Sequence, residues 1–136
     1  YTLSLHDALP IYGGFDELAL GGPNRVVLFS EEGVKEAVVT PEEAGLVRRD
    51  DDELAGGTAT ENAAIIENVL AGKKGPARDV ALLNASAVFL VSGMASGWKE
   101  GVALASESID SGRAAEVLEK IRSFSQQRED AIPRSA

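Results

Sequence analysis

The sequence contains no cysteine, a single histidine (His6) and few aromatic residues, which make up 5% of its 136 residues. Without cysteine there can be no disulfide, thiolate zinc site or cysteine nucleophile, and one histidine cannot supply a multi-histidine metal site. Because aromatic residues are scarce, we expect a core built from Ala, Val, Leu and Ile. The absence of cysteine also fits a cytoplasmic protein.

Basic residues are in the minority, with 13 Lys and Arg against 22 Asp and Glu and a formal net charge of -9. A protein that binds the phosphate backbone needs a basic face, so this balance predicts no nucleic-acid partner. An acidic surplus is compatible with divalent cations, although a solvated surface explains most of it. Hydrophobic residues at 44% and charged residues at 26% indicate an ordered globular chain.

Long apolar runs are also missing. The longest run without a charge, Val80 to Trp98, is interrupted by six polar or glycine residues: Asn84, Ser86, Ser92, Gly93, Ser96 and Gly97. That composition favours a buried helix over a membrane span. At the N-terminus no basic region precedes an apolar run, so we expect neither a signal peptide nor a membrane partner.

The first twelve residues differ from the rest of the chain in composition and periodicity. They hold the only histidine, both tyrosines and a proline, without a period of two or 3.6 residues, and the string LSLHDALPI resembles translated sequencing-adapter sequence. We therefore predict that residues 1–12 are a non-native segment. The alternative is an ordinary irregular N-terminal loop.

A β-hairpin is predicted next. The β-branched runs Arg25 to Phe29 and Val34 to Val39 flank a Ser-Glu-Glu-Gly turn, in which Gly33 can adopt a positive φ. The segment TPEE, which begins at Thr40, combines a capping threonine, a proline and a glutamate three residues after the cap. It predicts a short helix that ends at Gly45. The charged run 48–53 is expected to be a solvated loop.

Four helices are predicted after the hairpin. The first begins with the Thr58 and Glu61 capping box and ends at Gly72, and the second spans residues 77–91. Ser96 is expected to cap the third helix. The fourth spans residues 113–125, with Val117, Leu118, Ile121 and Phe124 facing inward, and a disordered tail is predicted for residues 128–136.

The segment GGFDEL contains the residues that are candidates for a functional site. Gly13 and Gly14 free the backbone to turn sharply, and the carboxylates of Asp16 and Glu17 follow. Magnesium takes oxygen ligands and commonly uses one or two protein carboxylates, with water and phosphate completing its shell. An acidic pair alone is a weak signal, since most such pairs are solvated charges.

Several ordered motifs strengthen that interpretation. From about Gly13 to Gly112 the chain contains GGFDEL, TPEEAGL, ELAGGTATENAAIIENVLAGKKGPARDVALLNASA and EGVALASESIDSG. In these motifs the sequence resembles the C-terminal region of anthranilate phosphoribosyltransferases. The resemblance implies an α/β fold, in which the hairpin joins a central sheet and the helices pack on it, with residues 13–127 forming the C-terminal part of the family's large α/β domain.

The same resemblance implies a magnesium site. In the family, the acidic pair binds the Mg²⁺ that accompanies phosphoribosyl pyrophosphate, so Asp16 and Glu17 are the candidate metal ligands, with Glu17 the better candidate to touch two metals. Neither is expected to be a nucleophile, and no catalytic or other cofactor-binding residue is assigned. The implied reaction transfers phosphoribosyl to anthranilate in tryptophan biosynthesis. The implied parent is a homodimer, a state not expected for this fragment.

The sequence also departs from the family pattern. The Gly-Thr-Gly-Gly pyrophosphate loop and the Lys-His-Gly-Asn motif are not among these residues, and His6 is no convincing substitute for the family's histidine. We therefore expect a fragment that is inactive alone. Two alternatives stay open: a fragment of a pyrimidine nucleoside phosphorylase-like enzyme, and a non-enzymatic helical interaction module.

Overall fold

A computed structural model describes residues 16–30 and 33–131 of the chain. The elements, in order, are the strands β1 (Asn24–Ser30) and β2 (Gly33–Val39), a short 3-10 helix (Asp51–Leu54), and the helices α1 (Ala59–Leu70), α2 (Pro76–Val91), α3 (Trp98–Asp110) and α4 (Arg113–Ala131). This order confirms the predicted hairpin followed by four helices. None of the described helices is long and apolar enough to cross a membrane.

The two strands form an antiparallel hairpin whose register runs from Asn24 opposite Val39 to Ser30 opposite Gly33. Gly33 has a φ of 116°, the positive value predicted for it and one that residues with a Cβ rarely adopt. The hairpin enters the core at its open end, where Val39 of β2 and Asn24 of β1 are each 1% exposed and Val26 of β1 packs against the core cluster. The hairpin is thus anchored at its open end, beside the loop that precedes β1.

The prediction of a helix that begins at Thr40 is wrong. The capping contacts form, since the Thr40 N–H donates to Glu43 Oε2 at 2.8 Å, but residues 41–45 make only a single turn. Gly45 has a φ of 81°, and the Leu46 N–H donates to the Pro41 carbonyl at 2.8 Å. This hydrogen bond, together with the left-handed conformation of Gly45, ends the segment after one helical turn.

The loop predicted for residues 48–53 is only partly correct. Its last residues belong to the 3-10 helix Asp51–Leu54. Arg49 lies 3.7 Å from Asp79 of α2 as an ion pair, and its backbone N–H donates to the Leu20 carbonyl at 3.1 Å. Arg49 therefore ties the segment to the helical layer, while Arg48, Asp50, Asp52 and Glu53 stay exposed to solvent as predicted.

Helices α2 and α3 pack closely where a glycine faces a serine. A Cβ built on Gly101 would lie 2.8 Å from the Ser86 Cβ and 2.9 Å from both the Cα and the carbonyl oxygen of Ser86. Such distances are shorter than van der Waals contact, so only glycine fits at this crossing. Ala105 and Ile109 of α3 continue the contact toward Leu82 of α2.

A buried arginine joins the same two helices. The Arg78 side chain is 5% exposed, and its Nη2 donates to Asp110 Oδ2 at 2.9 Å and to Ser106 Oγ at 2.7 Å. Its Nη1 lies 2.8 Å from Asp110 Oδ1 as an ion pair but is not aligned for a directional hydrogen bond. The hydrogen bond from Arg78 is the main reason that the pKa of Asp110 lies below its usual 3.8.

Helix α3 begins one residue later than a Ser96 cap predicts. Gly97 is the N-cap residue, with extended backbone and no side-chain cap. Ser96 instead donates to Glu100 Oε2 through its hydroxyl at 2.6 Å and its N–H at 2.8 Å, which lowers the pKa of Glu100. The serine still stabilises the first turn, but from the position before the cap.

Helices α1 and α4 lie at the edge of the core, where Val69 and Ala114 are partly buried against it. No residue of α1 is buried, and α4 exposes three of the side chains predicted to face inward: Val117 at 54%, Ile121 at 56% and Phe124 at 62%. The prediction that these side chains face inward is therefore wrong for these three. The fourth, Leu118, is half-buried. Arg122 of α4 forms an ion pair with Glu67 of α1. Helix α4 extends to Ala131, past the predicted end at 125 and into the predicted tail, of which residues 132–136 lie outside the described residues.

Candidate functional site

The acidic pair lies in the loop that precedes the hairpin, the acidic loop, of which residues 16–23 are described. Asp16 and Glu17 are exposed, whereas Leu18 is 8% exposed and Leu20 is fully buried. The two leucines pack with Leu83 of α2 in one core cluster. The loop is therefore held by its apolar side chains while the carboxylates stay in solvent. Gly13 and Gly14, the predicted turn before the pair, lie outside the described residues.

Asn84 of α2 holds the residue that follows the pair. The Leu18 N–H donates to Asn84 Oδ1 at 2.9 Å, and Asn84 Nδ2 donates to the Leu18 carbonyl at 2.8 Å. Asn84 Nδ2 also donates to the Val80 carbonyl, one turn earlier in the helix, at 3.0 Å. An amide within an apolar helix is thereby satisfied by backbone groups.

A second asparagine holds the next residue of the loop from the other side. The Ala19 N–H donates to Asn24 Oδ1 at 2.7 Å, and Asn24 Nδ2 donates to the Ala19 carbonyl at 3.0 Å. Asn24 is 1% exposed and also approaches the carbonyl oxygens of Gly22 and Val39, both at 3.3 Å. The sequence reasoning missed this residue. The sequence feature that could have identified Asn24 is a polar residue at the first position of a strand, directly after the Gly-Gly-Pro turn.

Two cavities meet at the acidic loop. The first, of about 640 Å³, lies between the loop, the 3-10 helix and the apolar face of α1, and it is bordered by Glu17, Asn62 and Ile66 among others. The second, of about 650 Å³, lies between the hairpin and α2, and it is bordered by Asp16, Glu17 and Asn84 among others. Glu17 borders both cavities.

The donor set suits a magnesium ion that is only partly coordinated by protein. Neither carboxylate forms a hydrogen bond or ion pair with another described residue, so their oxygens are available. Within residues 16–30 and 33–131 there is no cluster of three or more His, Cys, Asp or Glu side chains that could hold a metal alone. Mg²⁺ commonly binds through one or two carboxylates, with water and phosphate as its other ligands, which is the arrangement that Asp16 and Glu17 offer.

The other glycine-rich segment serves the fold. The Gly57 N–H donates to Asn62 Oδ1 at 2.8 Å, and Asn62 Nδ2 donates to the Gly57 carbonyl at 3.2 Å. The Thr58 N–H donates to Glu61 Oε2 at 2.7 Å, which completes the predicted capping box and lowers the pKa of Glu61. Gly56 and Gly57 thus form a turn that leads into a capped helix. His6 lies outside the described residues.

Comparisons with known proteins agree with this geometry. The family described as "Glycosyl transferase family, a/b domain" matches residues 2–115. An anthranilate phosphoribosyltransferase from Moorella thermoacetica is 45% identical over 106 residues, which are 78% of this chain and 31% of that protein.

Two solved structures resemble the chain. The crystal structure of anthranilate phosphoribosyltransferase from Thermus thermophilus has a TM-score of 0.74 and 44% identity, and the match covers 82% of this chain and 33% of that one. A variant of the Saccharomyces cerevisiae enzyme with Mg bound has a TM-score of 0.72 and 32% identity over 79% of this chain and 32% of that one.

The chain thus spans about a third of the length of the relatives it matches. The hairpin and helices correspond to part of an α/β fold, as the structural neighbours show. The family match extends over most of the chain and includes the acidic loop, the hairpin and helices α1 to α3. We conclude that the chain belongs to the glycosyl transferase family, a/b domain, and is similar there to anthranilate phosphoribosyltransferases.

Proposed function

We propose that this chain supplies the metal-binding acidic loop and the surrounding helical layer of an anthranilate phosphoribosyltransferase. The observation that carries the proposal is the exposed pair Asp16 and Glu17 at the junction of two cavities, in a chain whose relatives have that activity. In this proposal the substrates are phosphoribosyl pyrophosphate and anthranilate, and the enzyme belongs to tryptophan biosynthesis in the cytoplasm.

Asp16 and Glu17 would hold Mg²⁺ through their carboxylate oxygens. The ion would neutralise charge that grows on the oxygens of the leaving pyrophosphate while the anthranilate nitrogen attacks the anomeric carbon. The exposure of both carboxylates supports this role, because a phosphate-bound ion must reach them from solvent. The Mg-bound yeast relative also supports it.

These residues alone are not proposed to complete the reaction. Two carboxylates can hold a cation but cannot position a sugar phosphate and an aromatic acceptor for in-line attack. The match covers only about a third of the relatives' length, and we propose that the groups that hold both substrates lie in the remainder. The homodimer implied by the resemblance belongs to that longer protein.

Of the two alternatives, the nucleoside phosphorylase-like enzyme receives less support than the transferase, since the similar proteins cited above are all anthranilate phosphoribosyltransferases. A non-enzymatic helical module is favoured by one observation, the exposed apolar side chains of α4. Such a module would show no specific response to divalent cations. Metal binding therefore separates it from the proposed enzyme.

A chimera tests the proposed activity. Residues 16–110 of this chain would replace the matching segment of the Thermus thermophilus relative, and consumption of anthranilate would be followed by its fluorescence. We expect an active chimera and a loss of kcat of at least roughly a hundredfold in the double variant Asp16→Asn, Glu17→Gln, because electrostatic stabilisation of a leaving group is worth several kcal/mol.

Glu36→Gln is the matched control for that experiment. Glu36 borders the same cavity as Asp16 but is paired with Arg25 on the exposed face of the hairpin. Its removal changes the charge of the region without removing a proposed ligand, and we expect kcat within about twofold of the parent, since exposed ion pairs contribute little. An unchanged rate in the Asp16, Glu17 double variant would contradict the proposed role.

A further inference from the structure

Asn84 is held in an unusual position for an amide, in the middle of the apolar helix α2 and against the backbone of a distant loop. It accepts from the Leu18 N–H and donates to the Leu18 carbonyl, 66 positions away in sequence. A leucine at this position would suit the helix without requiring any partner. The amide is thus explained by the loop it holds, and the loop carries the acidic pair.

The hydrogen bonds act on identifiable peptide planes. The Leu18 N–H belongs to the same planar unit as the Glu17 carbonyl, so the bond to Asn84 Oδ1 fixes the orientation of the Glu17–Leu18 peptide. The next plane, Leu18–Ala19, is held at its carbonyl by Asn84 and at its N–H by Asn24. Among residues 16–30 and 33–131, Asn84 is the one that holds the Glu17–Leu18 plane by a hydrogen bond.

We infer that Asn84 is the positioning residue of the acidic pair, fixing the Glu17–Leu18 peptide and thereby the direction in which the Glu17 carboxylate projects. This inference rests on the proposed metal-binding role of Asp16 and Glu17. Burial of Leu18 and Leu20 anchors the loop, but apolar contacts leave rotation of a peptide plane comparatively free. The two-point amide contact removes that freedom before the ion binds, which lowers the entropy lost on binding.

The test is a Mn²⁺ titration of the ¹⁵N-labelled 136-residue chain, followed by paramagnetic broadening of backbone amide resonances. In the parent chain we expect broadening centred on residues 16–19. In Asn84→Ala we expect the dissociation constant to rise roughly tenfold, the scale seen when a group that orients a metal ligand is removed. The remaining resonances should keep their dispersion, which separates loss of positioning from loss of fold.

Three further variants make the result specific. Asn84→Leu fills the helix with an apolar side chain of similar size and removes the same hydrogen bonds, so it should weaken Mn²⁺ binding even if Asn84→Ala folds poorly. Asn24→Ala removes the contacts with Ala19, Gly22 and Val39 but leaves the Glu17–Leu18 plane held by Asn84, so it should weaken binding less. Ser106→Ala removes a hydrogen bond from Arg78 between α2 and α3, away from both cavities, and should leave the affinity unchanged.

The possible failures are distinguishable. If the parent chain shows no broadening at residues 16–19, the proposed metal role is overturned and the inference with it. If the parent binds Mn²⁺ there and both Asn84 variants bind it equally well, only the inference is overturned. Unfolding of both Asn84 variants would also contradict it, because Asn84 would then serve the whole fold instead of the loop.

Discussion

Helices α2 and α4 are of similar length and both carry apolar residues at helical spacing, but their surroundings in the folded chain differ. Leu83 of α2 is fully buried against the acidic loop and the hairpin, whereas Phe124 of α4 is 62% exposed. The comparison teaches that helical periodicity identifies which face of a helix is apolar but not whether another element covers it. Substitutions in α2, α3 and α4 should therefore differ in their effect on stability.

The largest effect is expected at the centre of the α2 contact. Leu83→Ala removes a fully buried side chain and leaves a cavity, so we expect the free energy of unfolding to fall by about 2–5 kcal/mol. Val91→Ala, in the same helix but 83% exposed, should change it by less than about 0.5 kcal/mol. Urea denaturation followed by circular dichroism measures both. Equal losses would show that α2 is not the core helix.

A smaller but clear effect is expected where α2 and α3 cross. Gly101→Ala places a methyl group against the backbone of Ser86, and we expect a loss of about 1–3 kcal/mol despite the better helix propensity of alanine. Gly22→Ala is the control, since its Cβ would meet nothing within 4 Å and its φ is not positive. A Gly101→Ala chain as stable as the parent would mean that the helices do not approach this closely.

The Arg78–Asp110 pair predicts a pH-dependent effect. Because the folded-state pKa of Asp110 is lowered, its contribution to stability is complete above the ordinary value of 3.8 and is lost as pH falls through the folded pKa. We therefore expect Asp110→Asn to be less stable than the parent at neutral pH, and the difference to shrink below pH 3.8. Thermal melts across this range test it, and a difference that stays constant into acid would contradict the pairing.

The smallest effect is expected on the outer face of α4. Phe124→Ala removes a large apolar side chain that is already mostly in solvent, so the free energy of unfolding should change by less than about 0.5 kcal/mol. The same urea titration measures it, beside Leu83→Ala. A loss comparable to that of Leu83→Ala would show that α4 is covered in solution.

Sequence reasoning succeeded where one residue dictates local backbone geometry. The hairpin turn at Gly33 and the capping box of Thr58 and Glu61 depend on a positive φ and on a local side-chain contact, both visible in a short window of sequence. The α/β fold and the family followed from ordered motifs, and the comparisons confirm them.

The sequence could not show long-range contacts. The Asn24 contact with Ala19 depends on how the loop folds back on the hairpin, which no local pattern reports. The metal role of Asp16 and Glu17 stays a prediction, supported by their exposure and by the donor chemistry.

The most direct test of the metal role asks whether a divalent ion binds the acidic pair or only the acidic surface. Mn²⁺ binding to the full chain would be measured by electron paramagnetic resonance for the parent, for Asp16→Asn, Glu17→Gln, and for the charge-matched Glu107→Gln, Glu119→Gln, whose carboxylates form exposed ion pairs on α3 and α4. We predict that the specific site disappears only in the first variant. An equal decrease in both variants would contradict the assignment of the metal to Asp16 and Glu17.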